Sequence, residues 1–210
     1  MVSSHPKTLI LGAVILIGLL GYSGIYAYDT LTWFMETLPV MIALVILTFT
    51  YRTFPLTSLV YWVIFIHSIV LIFGGMYTYA RVPFGFEIAQ WLDLDRNPYD
   101  KIGHFMQGFG PALIAREILI RGNYVNGRRM LNFIIISIVL AISASYELIE
   151  WGAAVWMGQG ADEFLGTQGD IWDTQSDMFF ALIGSSAAIV FFAAFHDKLI
   201  QKAGNHENPR

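Results

Sequence analysis

The sequence predicts an all-α fold: a polytopic membrane bundle of six transmembrane helices, one domain over residues 1–210. Three observations carry that expectation. Apolar residues make up 56 % of the chain and charged residues 13 %, about half the charged share of an ordinary globular domain. The apolar residues gather in runs of bilayer length, where about 20 helical residues cross the hydrocarbon. The basic residues divide unevenly among the segments joining those runs, as membrane insertion requires.

In chain order the runs are Thr8–Tyr28, Trp33–Thr50, Leu56–Ala80, Lys101–Ile120, Met130–Trp156 and Asp177–Phe195. The first is too long for the apolar part of a signal peptide and no Ala-x-Ala cleavage site follows it, so it reads as an uncleaved anchor. The fourth and fifth carry charges within their length. Asp29 marks the first turn, Thr53-Phe54-Pro55 the second, and Gly122–Gly127 a later one. Between the third and fourth runs, Phe84–Leu92 suits a short helix lying in the membrane interface. The segment Met157–Ser176 is too polar to cross, and its Asp162 and Glu163 read as solvated surface. Trp33, Trp62, Trp91, Trp151, Trp156 and Trp172 fall mostly near run ends, as an aromatic belt does.

With the N-terminus inside, the inner segments hold Lys7, Arg52, Arg116, Arg121, Arg128, Arg129, Lys198, Lys202 and Arg210, and the outer ones only Arg81, Arg96 and Lys101. Both termini are therefore expected in the cytoplasm of a bacterial cell, with the chain in its inner membrane. Arg116 and Glu117 would mark the inner end of the fourth run, with Arg116 among lipid head groups. Cysteine is absent, which excludes disulfides, iron–sulfur clusters and thiol-bound zinc. The net charge of −4 is no nucleic-acid-binding balance. The partner expected from composition is the lipid bilayer.

Chemistry concentrates in three groups, which this topology brings to the outer ends of runs four, five and six. Asp100 and His104 are four apart on one helix face, with Pro98 at the helix start and Asp100 suited to cap it. Glu147 and Glu150 are three apart in the fifth run. Asp170, Asp173 and Asp177 share a face leading into the sixth. A carboxylate within hydrocarbon must be protonated, paired or bound to a cation, because leaving it bare costs roughly 2.5–3.5 kcal/mol on insertion scales. One imidazole among carboxylates suits a divalent ion of the Mg, Mn, Zn or Ca type. The expected metal ligands are His104, Glu147, Glu150, Asp173 and Asp177, and the expected catalytic groups Glu147, Glu150, Lys101 and Asp100. In the competing structural reading Asp100 is only a cap and Lys101 neutralises Glu147 or Glu150. His67, alone mid-span, reads as a hydrogen-bond donor between helices.

Asp100-Lys101-x-x-His104-Phe105, Tyr146-Glu147-Leu148-Ile149-Glu150-Trp151, Gly169-Asp170-x-x-Asp173-x-x-x-Asp177 and Arg81-Val82-Pro83-Phe84-Gly85 together resemble the YjdF family of bacterial inner-membrane proteins. The likeness covers most of the chain and implies topology and location, but no reaction. A more distant likeness is to the VanZ-like family, through Asp100, Lys101, His104, Glu147, Asp177 and Gly184. Here the chain departs from the pattern: Glu150 stands where Gln is usual, Ala181 where Asn is usual, and no Arg precedes the last helix.

Three functions compete. The first is a metal-assisted enzyme acting on a lipid or lipid-linked substrate at the outer leaflet. The second is a non-catalytic accessory protein that uses the cluster as internal glue. The third is a proton-coupled transporter, which needs a polar path continuing inward from His67, Ser143, Ser145, Tyr146 and Asn132.

Overall fold

A computed structural model describes residues 6–157 and 168–207. Asp162, Glu163 and the last three residues lie outside that range. Every described element is helical: α1 (Pro6–Ile25), α2 (Thr30–Thr50), α3 (Ser58–Met76), α4 (Pro83–Leu92), α5 (Tyr99–Arg121), α6 (Arg128–Met157), α7 (Asp173–Ala187) and α8 (Ala193–Glu207). A π-helical turn, Ala188–Phe192, joins α7 to α8, so the last two form one continuous rod.

Five of these rods are long and apolar enough to cross a membrane: α1, α2, α3, α6 and the α7–α8 pair. α5 has the length, 23 residues or about 35 Å at 1.5 Å per residue. Its charges make it less apolar than those five, and it packs against α3, α6 and the α7–α8 rod. Six long helices thus match the predicted architecture. The short helix expected at Phe84–Leu92 is α4, with Phe84, Phe86, Trp91 and Leu92 exposed along it.

The surface is apolar where a soluble protein's is polar. Phe49, Val190, Phe191 and Trp156 are all more than 70 % exposed, as side chains facing lipid are. The interior holds a Val, Leu and Ile core together with small and polar residues. α5 and α7 cross with almost no side chain between them. A Cβ on Gly108 would collide with the Ala181 carbonyl, and one on Gly184 with the Phe105 carbonyl, so glycine at both positions sets the approach. Around that crossing Val60, Val63, Leu113, Ile135, Val139 and Ala181 form a dry core. A smaller core of Leu16, Leu20, Val40 and Ile72 holds α1 and α2 against α3.

Alternating helix directions define two ends of the bundle. The α1–α2 turn meets the end of α3 through Tyr28 N–H donating to the Met76 carbonyl at 3.0 Å. That end also carries α4, the starts of α5 and α7, and the last turns of α6; we call it the acidic end. Local sequence explains how it is finished. Asp29 caps α2 by accepting from Thr32 N–H at 2.7 Å, and this hydrogen bond holds its pKa below the ordinary 3.8. At the start of α5 the expected cap differs. Asp100 lies inside the first turn, and Asn97 accepts from Tyr99 N–H at 3.0 Å in its place. Asn97 also donates to the Val82 carbonyl at 2.9 Å, which ties α5 to the start of α4.

Candidate functional site

The acidic end gathers the three predicted groups. On α5, Lys101 points its ammonium into α7, with Nζ 2.7 Å from Asp177 Oδ1 and 3.1 Å from Asp173 Oδ1. The expected partners of Lys101 were Glu147 and Glu150. The aspartates of α7 take it because the α5–α7 crossing is closer than any approach of α6. Arg96, counted from sequence only as a loop charge, donates to Asp173 at 3.0 Å and to Asp170 at 2.5 Å. Asp170 also accepts from Trp172 N–H at 2.9 Å. That bond first, then Arg96 and Lys101, holds its carboxyl below the usual carboxylate range.

His104 is the pivot. Its Nε2 faces Asp100 Oδ1 at 3.4 Å and Asp177 Oδ2 at 3.8 Å. Its other nitrogen, Nδ1, lies 3.1 Å from Gln107 Oε1 one helical turn on and 3.9 Å from Glu147 Oε1. An amide oxygen only accepts, so Nδ1 donates to Gln107, and Nε2 is the nitrogen turned to the Asp100–Asp177 side. Asp100, His104 and Asp177 each offer one ligand atom, all within 4.8 Å of one another, and this trio could hold a metal ion.

The remaining candidates sit around the trio. Asp173 is engaged by Arg96 and Lys101. Glu147 is buried at 8 % exposure and approaches the Nδ1 side of His104, and its Oε1 has no hydrogen-bond partner. Glu150 lines a cavity of about 140 Å³ beside the trio, between α2, α3, α5 and α6. The same cavity reaches Glu36, Tyr79, Tyr146 and His67. Glu36, 5 % exposed, accepts from Tyr146 Oη at 3.0 Å. His67 is not the interhelical donor expected of it, because its Nε2 is buried with no hydrogen-bond partner. The ring fills the space beside Gly110 and faces the cavity. Thr78 and Tyr79 on the rim take φ of 53° and 50°, a left-handed conformation that costs non-glycine residues, β-branched Thr most. Beneath the Tyr79 ring lie Gly74 and Gly103, each without room for a Cβ.

Sequence reasoning passed over Glu36 and Tyr79. Glu36 carried a usable signal, since it is an ionisable residue inside an apolar run. Tyr79 had none.

A second buried polar group lies at the opposite end. Glu117, 0 % exposed, accepts from Thr57 N–H at 2.8 Å, Thr57 Oγ1 at 2.7 Å, His196 Nε2 at 3.0 Å and Arg121 Nη1 at 3.0 Å. Arg116, 3 % exposed, pairs with Asp197 at 2.5 Å. α8 covers it within the bundle. The π turn makes this possible. Ala188 and His196 are eight residues apart, which on an ideal helix rotates them by roughly 80°. The wider turn Ala188–Phe192 restores the face, and both residues are buried toward α5.

Residues 8–198 match the family described as "Predicted membrane protein (DUF2238)". The inner membrane protein YjdF of Escherichia coli (strain K12) is 57 % identical over 199 residues, covering 95 % of each chain. Neither match extends the likeness to the VanZ-like proteins. No solved structure matches the chain.

Proposed function

The chain belongs to the DUF2238 family of predicted membrane proteins, and from that premise we propose that it is a metal-assisted enzyme of the bacterial inner membrane, acting on a lipid or lipid-linked substrate. Its termini are cytoplasmic and its acidic end is periplasmic, by the distribution of Lys and Arg. The whole chain acts as one membrane domain.

The observation that carries the reading is the trio of Asp100, His104 and Asp177. Two ligands each about 2.1 Å from one ion lie roughly 3.0–3.5 Å apart. The 3.4 and 3.8 Å separations around His104 Nε2 need little adjustment to reach that. Gln107 on Nδ1 supplies the outer hydrogen bond that fixes the tautomer of a metal-bound histidine. Charge agrees: Glu36, Asp100, Glu147, Glu150, Asp170, Asp173 and Asp177 gather at this end, where Arg96 and Lys101 pair with Asp170, Asp173 and Asp177. Oxygen donors with one imidazole suit Mg, Mn, Zn or Ca.

A bound divalent ion would polarise a phosphoryl or carbonyl oxygen or lower the pKa of a water. The chain's own groups divide the remaining work. Lys101 and Arg96 hold Asp173 and Asp177 in place. Glu147 backs the imidazole from the Nδ1 side. Glu150, in the cavity with Asp100 and His104, is positioned to take a proton from an attacking water. The transport reading is less well supported, because below His67 the buried Val60, Val63, Leu113, Ile135 and Val139 interrupt a polar path. The accessory reading accounts for the ion pairs but not for the cavity or the partnerless Glu147 oxygen.

The test is the metal content of purified protein by mass spectrometry, beside Asp177→Asn and His104→Ala. The reading expects about one divalent ion per chain in the parent and its loss in both variants. Equal metal content in all three would refute it.

A further inference from the structure

The cavity beside the trio is larger than the trio needs. Its volume of about 140 Å³ is some ten times the ~10–15 Å³ that one water requires, so it accommodates a group of several atoms. Its walls are one-sided in charge. Among the described residues Glu36, Asp100 and Glu150 line it, with Gln107, Thr32 and Tyr146, and neither Lys nor Arg does. Arg96 and Lys101 point into α7 and the Asp170 loop. Glu36 belongs to neither the trio nor the ion pairs. It lies on the α2 wall of the cavity, held by Tyr146. At the inner limit the His67 Nε2 is buried and unpartnered, and the dry core closes the space beyond it.

A dead-ended cavity rich in acceptors calls for a cation that donates. A quaternary ammonium has no N–H and would leave those carboxylates without hydrogen bonds, whereas a primary ammonium brings three donors. We propose that this cavity binds the primary ammonium group of the substrate, with Glu36 as its counter-ion and the His67 ring closing its inner limit. The substrate class is then an aminoalkyl phosphate or its ester. The anionic part lies toward Asp100, His104 and Asp177, and the ammonium toward Glu36. The inference rests on the metal-site reading for the reaction, and goes beyond it in naming what the substrate carries.

The source of that group is either the head group of a phosphatidylethanolamine-type lipid or a soluble amine, and two arms separate them. In the first, full-length protein in nanodiscs of mixed ethanolamine and choline lipids is extracted, and retained lipid is measured by native mass spectrometry. In the second, ethanolamine and choline are titrated into detergent-purified protein. Selection of the ethanolamine form is expected in at least one arm. Selection in the first alone assigns a lipid, and in the second alone a soluble amine. Glu36→Gln should weaken it by about tenfold or more, the size of one hydrogen bond to a charged group, and leave bound metal unchanged. His67→Leu, which keeps Glu36, should weaken it less, and melting temperatures confirm that both variants fold. Equal binding of ethanolamine and choline in both arms overturns the proposal, as does parent-like selectivity in both variants. Metal-free protein that still selects ethanolamine would sink the metal reading and leave this one standing. Metal-loaded protein without selectivity would sink this one alone.

Discussion

Replacing Glu117 probes how α3, α5 and α8 are held together at the end of the bundle remote from the acidic cluster. Its Oε1 accepts from Thr57 N–H and Arg121, and its Oε2 from the Thr57 hydroxyl and His196 Nε2. Alanine removes all four acceptances from a carboxylate at 0 % exposure, and Arg121 and His196 lose their common partner. Breaking a buried charge network of this kind costs about 3–5 kcal/mol. Glutamine behaves differently. Its oxygen serves Thr57 N–H and Arg121, which can only donate, so its amide NH₂ faces the Thr57 hydroxyl and His196. The hydroxyl can rotate to accept. His196 can accept at Nε2 only by moving its proton to Nδ1, which is buried and unpartnered. One buried donor left unsatisfied costs about 1–3 kcal/mol, so Gln should lie midway between parent and Ala. Thr57→Val in the Glu117→Ala background should cost less than in the parent, since the hydroxyl has lost Glu117 and keeps only His196 Nε2 at 3.3 Å. Unfolding in detergent, followed by tryptophan fluorescence, gives the order parent, Gln, Ala. A Glu117→Ala protein within about 0.5 kcal/mol of the parent, or less stable with Gln than with Ala, would refute this account of the network.

Gly184→Ala and Gly108→Ala should each force α5 and α7 apart, at about 1–3 kcal/mol for overpacking, and lower bound metal because Asp177 moves with α7. Gly18→Ala, with nothing within 4 Å of its Cβ, should leave thermal unfolding unchanged or slightly raised. Lys101→Met leaves Asp177 without its cation while Asp173 keeps Arg96, and should cost up to about 3–5 kcal/mol, partly recovered on adding Asp177→Asn; an additive double variant would contradict the ion-pair description. Asp29→Ala should cost about 1 kcal/mol as a lost helix cap. The folded-state pKa of Asp29 lies below its ordinary 3.8, so its stabilisation is complete above that value and is lost as pH falls through the lowered one. Asp29→Asn keeps the acceptor oxygen and should therefore show a shallower acid loss of stability than the parent. Identical acid profiles would remove Asp29 from the explanation.

Much of the candidate site was legible because its residues sit at helical spacings. Asp100 with His104, Glu147 with Glu150 and Asp173 with Asp177 each share a face of one helix, and alternating helix directions bring the three pairs to one end. What spacing cannot express is rotation about each helix axis. The partners of Lys101 depend on which neighbour comes closest, and the glycines at 108 and 184 make that neighbour α7. The partition of carboxylates between the two His104 nitrogens is of the same kind, with Asp100 and Asp177 on Nε2 and Glu147 on Nδ1. Glu36 and His67 come from helices placed beside the cluster only by packing. The Glu117–His196 contact needed a π turn whose signature in sequence is no more than an apolar run.

Insertion in the membrane, the number of long helices and the crowding of acids at one end follow from the sequence alone, because the bilayer admits few ways to satisfy a backbone and hairpin-joined helices must alternate. Which carboxylates meet the imidazole, which are neutralised by Lys101 and Arg96, and which line the cavity were decided by the tertiary structure. Those outcomes turn on differences of an ångström or two in helix approach, set by the atoms missing from two glycines and the extra residue in one turn. The acidic end therefore divides into a paired half against α7 and an unpaired half against α2 and α3. The unpaired half has the chemistry still to be tested.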